Sequence, residues 1–483
     1  MNARLCVSEP DFAGGLKIVR IGWVVDHPKR DLAGSVLAAY QLALRGASVV
    51  IVPMYEQGVD VPRLGLDALV ANYARDANLD LMRSFSKAGL ALYVLDTEGG
   101  ILAEKGGNSP PAMAAHIRNS GYADILSGYF FWGGQLHQAF NDNETMKPER
   151  LHLTGCPRFD FAAPRWRALL DRDRRGYLLV NANFPLVNSR FSSAPGAERA
   201  AMVRAGWDGT YIDRFLIDLK TVFANYLVEI DRLAAARPDR SILVRPHPFE
   251  SEEAYRNALG RHANVVVDGT GSVLDMIRNA AAVIHLNCGT AVEAVLLDKL
   301  PIQLEYLNTP ATAGHARLPA RVSRAAQSFD DLLGMVDDLD GETAKFDFAG
   351  VHAANIDAFF YRNDGLAAER VADVLVGAIR PHNPFVSLSS AIRGTRPNPS
   401  AGQIAKGAAS LLLGSAVTER LRTFFNPARG DKRIEPASVA TLLERIATHD
   451  GRAPSLFSAT RARCKATGMP LASIAIEKRP EPA

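Results

Sequence analysis

Short apolar runs alternate with longer segments of helical period along most of the chain, and the alternation starts at Leu16. KIVRIGWVVD (17–26) and ASVVIVPMY (47–55) predict strands, with helical periodicity over 31–46 between them. LDALVANY (66–73) predicts a third strand or a buried turn, DLMRSFSKAG (80–89) a helix, and LALYVLD (90–96) a fourth strand that ends on a carboxylate. The pattern continues through ADILSGYFFWG (123–133) and ERLHLTGCPRFD (149–160), and RWRALLDRDRRG (165–176) predicts a linker helix. A second series follows. YLLVNANF (177–184) predicts a strand and 211–236 a long helix. SILVRPHP (241–248) and NVVVDGTG (264–271) predict strands, SVLDMIRNA (272–280) a helix, AAVIHLNCG (281–289) a strand, TAVEAVLLDK (290–299) a helix, and LPIQLEY (300–306) ends the series.

Strand–helix alternation of this kind predicts parallel sheets flanked by helices, and two such series predict two Rossmann-like domains facing a cleft. The boundaries fall at 1–170 for the first domain and 171–385 for the second, whose helical segment 352–380 is expected to cross back. Residues 386–483 turn to Ser, Gly, Pro and Arg, with amphipathic helices near 402–425 and 436–448. They are expected to form an accessory, mostly helical tail whose end, EKRPEPA, is disordered.

Composition narrows the function. Fifty-five basic against 52 acidic residues leave a net charge of +3, too balanced for a nucleic-acid partner. The four cysteines (Cys6, Cys156, Cys288, Cys464) form no CxxC pair, which argues against a disulfide framework or zinc site. The first residues lack an apolar core and no apolar stretch approaches ~18 residues, so a soluble, cytoplasmic protein is expected, with peripheral contact at the inner face of a membrane left open. There is no P-loop, and the glycine pairs at 99–100, 106–107 and 133–134 do not form a dinucleotide fingerprint.

Three elements carry candidate chemistry. Arg245-Pro246-His247-Pro248-Phe249-Glu250 lies where a strand ends. The prolines stiffen the loop, so that His247 can donate to a phosphate and Arg245 can neutralise its charge; the alternative is a rigid turn. In His285-Leu286-Asn287-Cys288-Gly289-Thr290-Ala291-Val292-Glu293 small residues open a helix after a strand, giving free N–H groups and the Thr290 hydroxyl to an anion, with Glu293 placed for ribose hydroxyls; the alternative is an ordinary cap. Asp96-Thr97-Glu98-Gly99-Gly100 ends the fourth strand, where a carboxylate can act as a base; the alternative is a Gly-rich turn. Weaker candidates are Asn181, Asn183 and Asn188 for donor phosphate, Arg158, and Trp132 for stacking on a sugar. Arg380-Pro381-His382-Asn383-Pro384 follows a helix and is expected to be a stop signal. No DxD-type pair occurs in the matching loops, and no metal or cofactor is expected.

Together the three elements resemble bacterial sialyltransferases, capsular Kdo transferases and related surface-carbohydrate biosynthesis proteins, which share a carboxylate-carboxylate-Gly motif, a His-Pro motif and a Ser/Thr motif in this order. TGCPRFD and YLLVNANF are also similar to the surface-carbohydrate group, and the resemblance spans roughly 18–306. It implies a GT-B fold, a CMP-linked acidic sugar as donor, no metal, and a glycan or lipid-linked acceptor. It further implies Glu98 or Asp96 as base, His247 at the CMP phosphate, and Thr290 with its neighbours holding that phosphate. The family's base often stands where this chain has Thr97, so either flanking acid is open, with Glu98 preferred beside the glycine turn. Alternatives are a CDP-glycerol- or CDP-ribitol-type polyol-phosphate transferase, a non-hydrolysing nucleotide-sugar epimerase expected to need more cleft carboxylates and histidines, and a non-catalytic scaffold of a polysaccharide-assembly complex.

Overall fold

The apolar runs become strands buried on both faces, as parallel sheets between helix layers require. In β1 (Arg20–Val25) and β2 (Ser48–Pro53) every residue after the first is buried. The computed structural model describes residues 18–100, 109–171, 176–190, 196–204, 207–314, 317–382, 384–395 and 399–479. Cys6, the expectations for the first residues, Gly106-Gly107, Asn383 and the last residues of EKRPEPA lie outside the described residues.

The first sheet continues through β3 (Ala68–Ala71), β4 (Ala91–Leu95), β5 (Gly128–Phe131) and β6 (Leu151–Leu153), all parallel, in the order β2-β1-β3-β4-β5-β6. The second holds β7 (Tyr177–Asn181), β8 (Ile242–Arg245), β9 (Val265–Val267), β10 (Ala280–His285), β11 (Leu300–Leu304) and β12 (Arg324–Ala326), also parallel, in the order β12-β11-β10-β7-β8-β9. Counted from its own first strand, the second sheet runs 3-2-1-4-5-6, the dinucleotide-fold order, and the first runs 2-1-3-4-5-6. Each order reverses beside the sheet's first strand, so β1 and β7 are the places where a ligand crevice opens. The two Rossmann-like domains meet across that crevice in a GT-B arrangement, with a largely helical C-terminal region.

Helix α1 (Pro28–Leu44) follows β1 and is buried along most of its length. The long helix α2 (Gly209–Ala236) covers the second sheet with Phe215, Leu219, Val222, Tyr226, Ile230 and Leu233. Helix α3 (Thr290–Leu296) follows β10, and α4 (Ala367–Ala378) lies on α1, within the layer of the first domain.

Two expectations change. The linker helix over 165–176 reduces to one 3₁₀ turn, Arg167–Leu169, with 172–175 outside the described residues. Its side chains are committed to distant partners instead: the Trp166 indole donates to Gly365 O at 2.9 Å, and Arg167 donates to Ala162 O and Leu296 O. The tail, expected to be mostly helical, does contain α5 (Ala401–Leu413), α6 (Ser415–Phe425) and α7 (Pro436–His449), but ends in a hairpin, β13 (Phe457–Arg463) and β14 (Pro470–Lys478). Strand β14 pairs antiparallel with β2, in the register Ile474↔Ile51 and Ile476↔Val49, and so extends the first sheet. Glu477 and Lys478, expected to be disordered, are part of that strand.

Candidate active site

The carboxyl ends of the strands converge on one cleft of about 310 Å³ between the domains. From the first sheet come Asp26 and His27 after β1, Thr97 and Glu98 after β4, Trp132 after β5 and Arg158 after β6; the second supplies Asn181, Arg245 and the residues after β10. The domains touch across it. Lys29 Nζ donates to Gly269 O at 3.1 Å, and Arg158 lies 3.4 Å from the Glu293 carboxylate.

The His-Pro loop is held from beneath. Glu250, expected to touch the donor, is instead 2% exposed and away from the cleft lining. Its carboxylate accepts from the backbone N–H of Phe184 at 2.8 Å and of His247 at 3.1 Å, from Asn188 Nδ2 at 3.3 Å and from the Tyr255 hydroxyl. A carboxylate with four donors fixes the loop that presents His247, Pro248 and Phe249 to the cleft. Phe249 N–H donates to His247 Nδ1 at 3.2 Å, which leaves the proton of the neutral ring on Nε2. Burial and then the charges of Arg30 and Arg245 push the His247 pKa down to about 4, so the ring is neutral near pH 7.

The two acids of the first motif separate. Asp96 is buried, pairs with Arg75 at 2.6 Å and accepts the Glu98 N–H at 3.0 Å, so it is absorbed in holding its own turn. Glu98 opens onto the cleft. Its side chain is exposed, yet its carboxyl has protein atoms packed around it. That burial, and then the Asp96 charge, raise its carboxyl above the ordinary range.

The third motif divides as well. Asn287 takes the left-handed conformation (φ 51°) that turns β10 into α3. Its side chain is spent away from the cleft: Nδ2 donates to Asn308 Oδ1 at 2.6 Å, and Oδ1 accepts from Gln303 at 2.8 Å. Cys288, Gly289, Thr290 and Glu293 do line the cleft. Asn181 Nδ2 donates to Thr290 Oγ1 at 3.0 Å, where the second sheet reverses, and Thr290 Oγ1 donates to Cys288 Sγ at 3.1 Å. Burial raises the Cys288 thiol and the Glu293 carboxyl, the latter opposed by Arg158, Arg245 and Arg30. Glu293 thus lines the cleft with Arg158 of the other domain beside it. Helix α3 has seven residues, and Gly289 and Thr290 line the cleft where it begins. Asn183 lines the cleft and makes a long contact, 3.5 Å, to Asn287 O.

Three donors in the lining find no hydrogen-bond acceptor among the described residues: Arg245 Nε, Arg158 Nε and Trp132 Nε1. Arg245 is 6% exposed, and its other contact is Nη2 to Gly271 O at 3.0 Å. A bound water or a ligand can supply the acceptor that such donors need.

The segment Asp26-His27-Pro28-Lys29-Arg30 is absent from the sequence candidates. His27-Pro28 follows β1 as His247-Pro248 follows β8, so the repeated His-Pro at a strand end was the available signal. His27 caps α1, accepting from Lys29 N–H at 3.3 Å, and burial with Lys432 and Arg30 lowers its pKa to about 3. His382, by contrast, lies at the opposite end of the sheet. Its Nδ1 is 3.2 Å from Asp67, the residue before β3.

No family model matches the chain, and no curated protein matches it in sequence. Similar solved structures include the UDP-GlcNAc 2-epimerase of Methanocaldococcus jannaschii, 12% identical over 74% of this chain and 100% of that one, with a TM-score of 0.44. The UDP-GlcNAc 2-epimerase of Neisseria meningitidis bound to UDP-GlcNAc is 12% identical over 74% and 99%, with a TM-score of 0.44. The wall teichoic acid polymerase TagF is 12% identical over 74% and 88%, with a TM-score of 0.46. Likeness at this level carries nothing about chemistry, which rests on the cleft itself.

Proposed function

We propose that the protein is a glycosyltransferase that moves an acidic sugar, Kdo or a sialic-like nonulosonate, from a CMP-sugar to a surface-polysaccharide or lipid-linked glycan acceptor. The observation that carries this reading is the meeting of Glu98 from one sheet with His247, Arg245 and Thr290 from the other, in a cleft where Arg245 Nε and Arg158 Nε find no acceptor among the described residues.

Glu98 takes the proton of the acceptor hydroxyl as its oxygen attacks the anomeric carbon. A raised carboxyl pKa strengthens that base, provided the group is ionised at the working pH. The bond from the anomeric carbon to the phosphate oxygen breaks, and CMP leaves with the electron pair. His247 Nε2–H donates to the phosphate, Arg245 meets its charge, and Thr290 and Gly289 hold it. The guanidinium and ammonium groups of Arg245, Arg158, Arg30 and Lys29 supply positive charge, so the reading invokes no metal. Asp96 and Glu250 act as positioning residues, the first for Glu98 and the second for His247.

A nucleotide-sugar epimerase is the second reading. It is favoured by one observation: Asp26 and His27, which no sequence motif supplied, add an acid and a histidine to Glu98, Glu293 and His247 in the cleft.

Thermal-shift or calorimetric titration with CMP, CDP, UDP, GDP and ADP tests the donor class, with His247→Ala as control. Selective stabilisation by CMP, weakened in H247A, is expected. Preference for UDP with interconversion of a UDP-sugar would establish the second reading, and no nucleotide binding at all would overturn both.

A further inference from the structure

Helix α6 is amphipathic in the wrong sense for a helix on a protein surface. Its protein-facing positions are polar: Ser415 and Glu419 are buried at 0% and 4%, and Arg422 is 2.9 Å from the buried carboxylate of Glu56. Ser415 Oγ also accepts from Ala472 N–H at 2.8 Å, which ties the helix to β14. The solvent-facing positions, Val417, Leu421, Phe424 and Phe425, recur at the same helical spacing, and the two phenylalanines are 81% and 82% exposed. In helix α5, Ile404, Leu412 and Leu413 are exposed as well, and Leu413 lies beside the α6 stripe. A groove of about 770 Å³ runs between the two helices, lined by Leu413, Leu421 and Phe425 together with Arg393, Lys406 and Arg422. Isolated exposed apolar residues are ordinary, but four on one stripe of α6, with Leu413 beside them at the groove, form a face that needs an apolar partner.

Charge identifies that partner. Residues 385–433 hold eight Lys and Arg against two acids, while the whole chain is only +3. Both acids are occupied, Glu419 beside Arg433 and Asp431 beside Arg190. The exposed charges around this face are Arg393, Lys406 and Arg420. A second copy seated symmetrically on this face would set these cations against their own equivalents. An apolar face rimmed with cations fits an anionic lipid surface.

The patch also adjoins the cleft. Just beyond α6, Arg429 donates to Tyr55 O at 3.1 Å and to the Glu56 carboxylate, and Lys432 donates to Asp26, a cleft residue, at 3.0 Å. We infer that α5 and α6 form a docking surface for an anionic bilayer, which seats Phe424, Phe425 and Leu421 in the interface and sets the cleft beside the membrane. The inference stands apart from the donor reading, because docking requires no nucleotide.

Flotation of the full chain with vesicles of phosphatidylcholine, alone or mixed with phosphatidylglycerol, tests it. Flotation with the mixed vesicles is expected, weaker with phosphatidylcholine alone and weakened by salt. F424S/F425S should lose most of it. R393Q/K406Q/R420Q should keep the apolar contribution and lose the preference for anionic lipid, by about fivefold per charge removed. All five positions are exposed, so both variants should melt as the wild type does. The inference is overturned if the wild type fails to float, if neither variant changes flotation, or if the patch instead supports self-association that F424S/F425S abolishes without any vesicle binding.

Discussion

Changing Asp96 and Glu98 separately to their amides should split stability from turnover. Asp96 is 1% exposed and its Arg75 partner about a third exposed at the side chain. Breaking a buried pair from one side costs roughly 3–5 kcal/mol, and the partial exposure of Arg75 brings the expectation for D96N down to about 2–3 kcal/mol. Glu98 has the opposite sign. Its folded-state pKa lies above the unfolded 4.5, so in that window the folded state holds more protons, and ionisation costs stability as pH rises. E98Q removes that cost and should melt no lower than the wild type at neutral pH. Its turnover, followed as CMP release from CMP-Kdo or CMP-N-acetylneuraminate, should fall by about 10²- to 10⁴-fold, the usual contribution of a general base. The wild-type rate should rise with pH through a midpoint above the ordinary carboxylate value, and that limb should vanish in E98Q. Wild-type turnover in E98Q, or turnover lost in D96N with unchanged melting, would refute the assignment.

Two further outcomes follow from the same geometry. In the free protein, His247 should titrate by NMR near 4 rather than 6.5; since its folded pKa is lowered, its contribution to stability should increase with pH between about 4 and 6.5 and disappear in H247N, whereas a midpoint near 6.5 would remove the neutral-donor role. Ending the chain after Gly451 removes β13 and β14, bares the edge of β2 and strips away buried Leu471, Ile474 and Ile476, each worth roughly 1.5–3 kcal/mol. The shortened chain should aggregate or melt lower on size exclusion and thermal scans, and a monomer of unchanged melting would mean the hairpin is dispensable.

The alternation of apolar runs and helical segments was sufficient for two parallel sheets, because parallel strands buried on both faces leave a nearly continuous apolar signature. The His-Pro loop was legible for a similar reason: two prolines at a strand end restrict the backbone whatever packs around it. The final hairpin was less visible. LASIAIEK is a short apolar run near the end of a segment read by its Ser, Gly, Pro and Arg content, and its strand character depends on the free edge of β2, which is remote in sequence.

Tertiary structure alone sorted the motif residues by role. Asp96 and Glu98 are the same chemistry two positions apart, yet one faces Arg75 and the other the cleft. Glu250 and Asn287 sit within the right motifs and are consumed by the backbone they support, while Lys29, Arg30 and His27 reach the cleft from a segment chosen by no motif. Local sequence determines where a strand ends and how stiff its loop is, since those depend on near neighbours. Which side chain then faces the ligand depends on partners 21 to 240 residues away, such as Arg75 for Asp96 and Gly269 for Lys29, and only the folded chain brings them together.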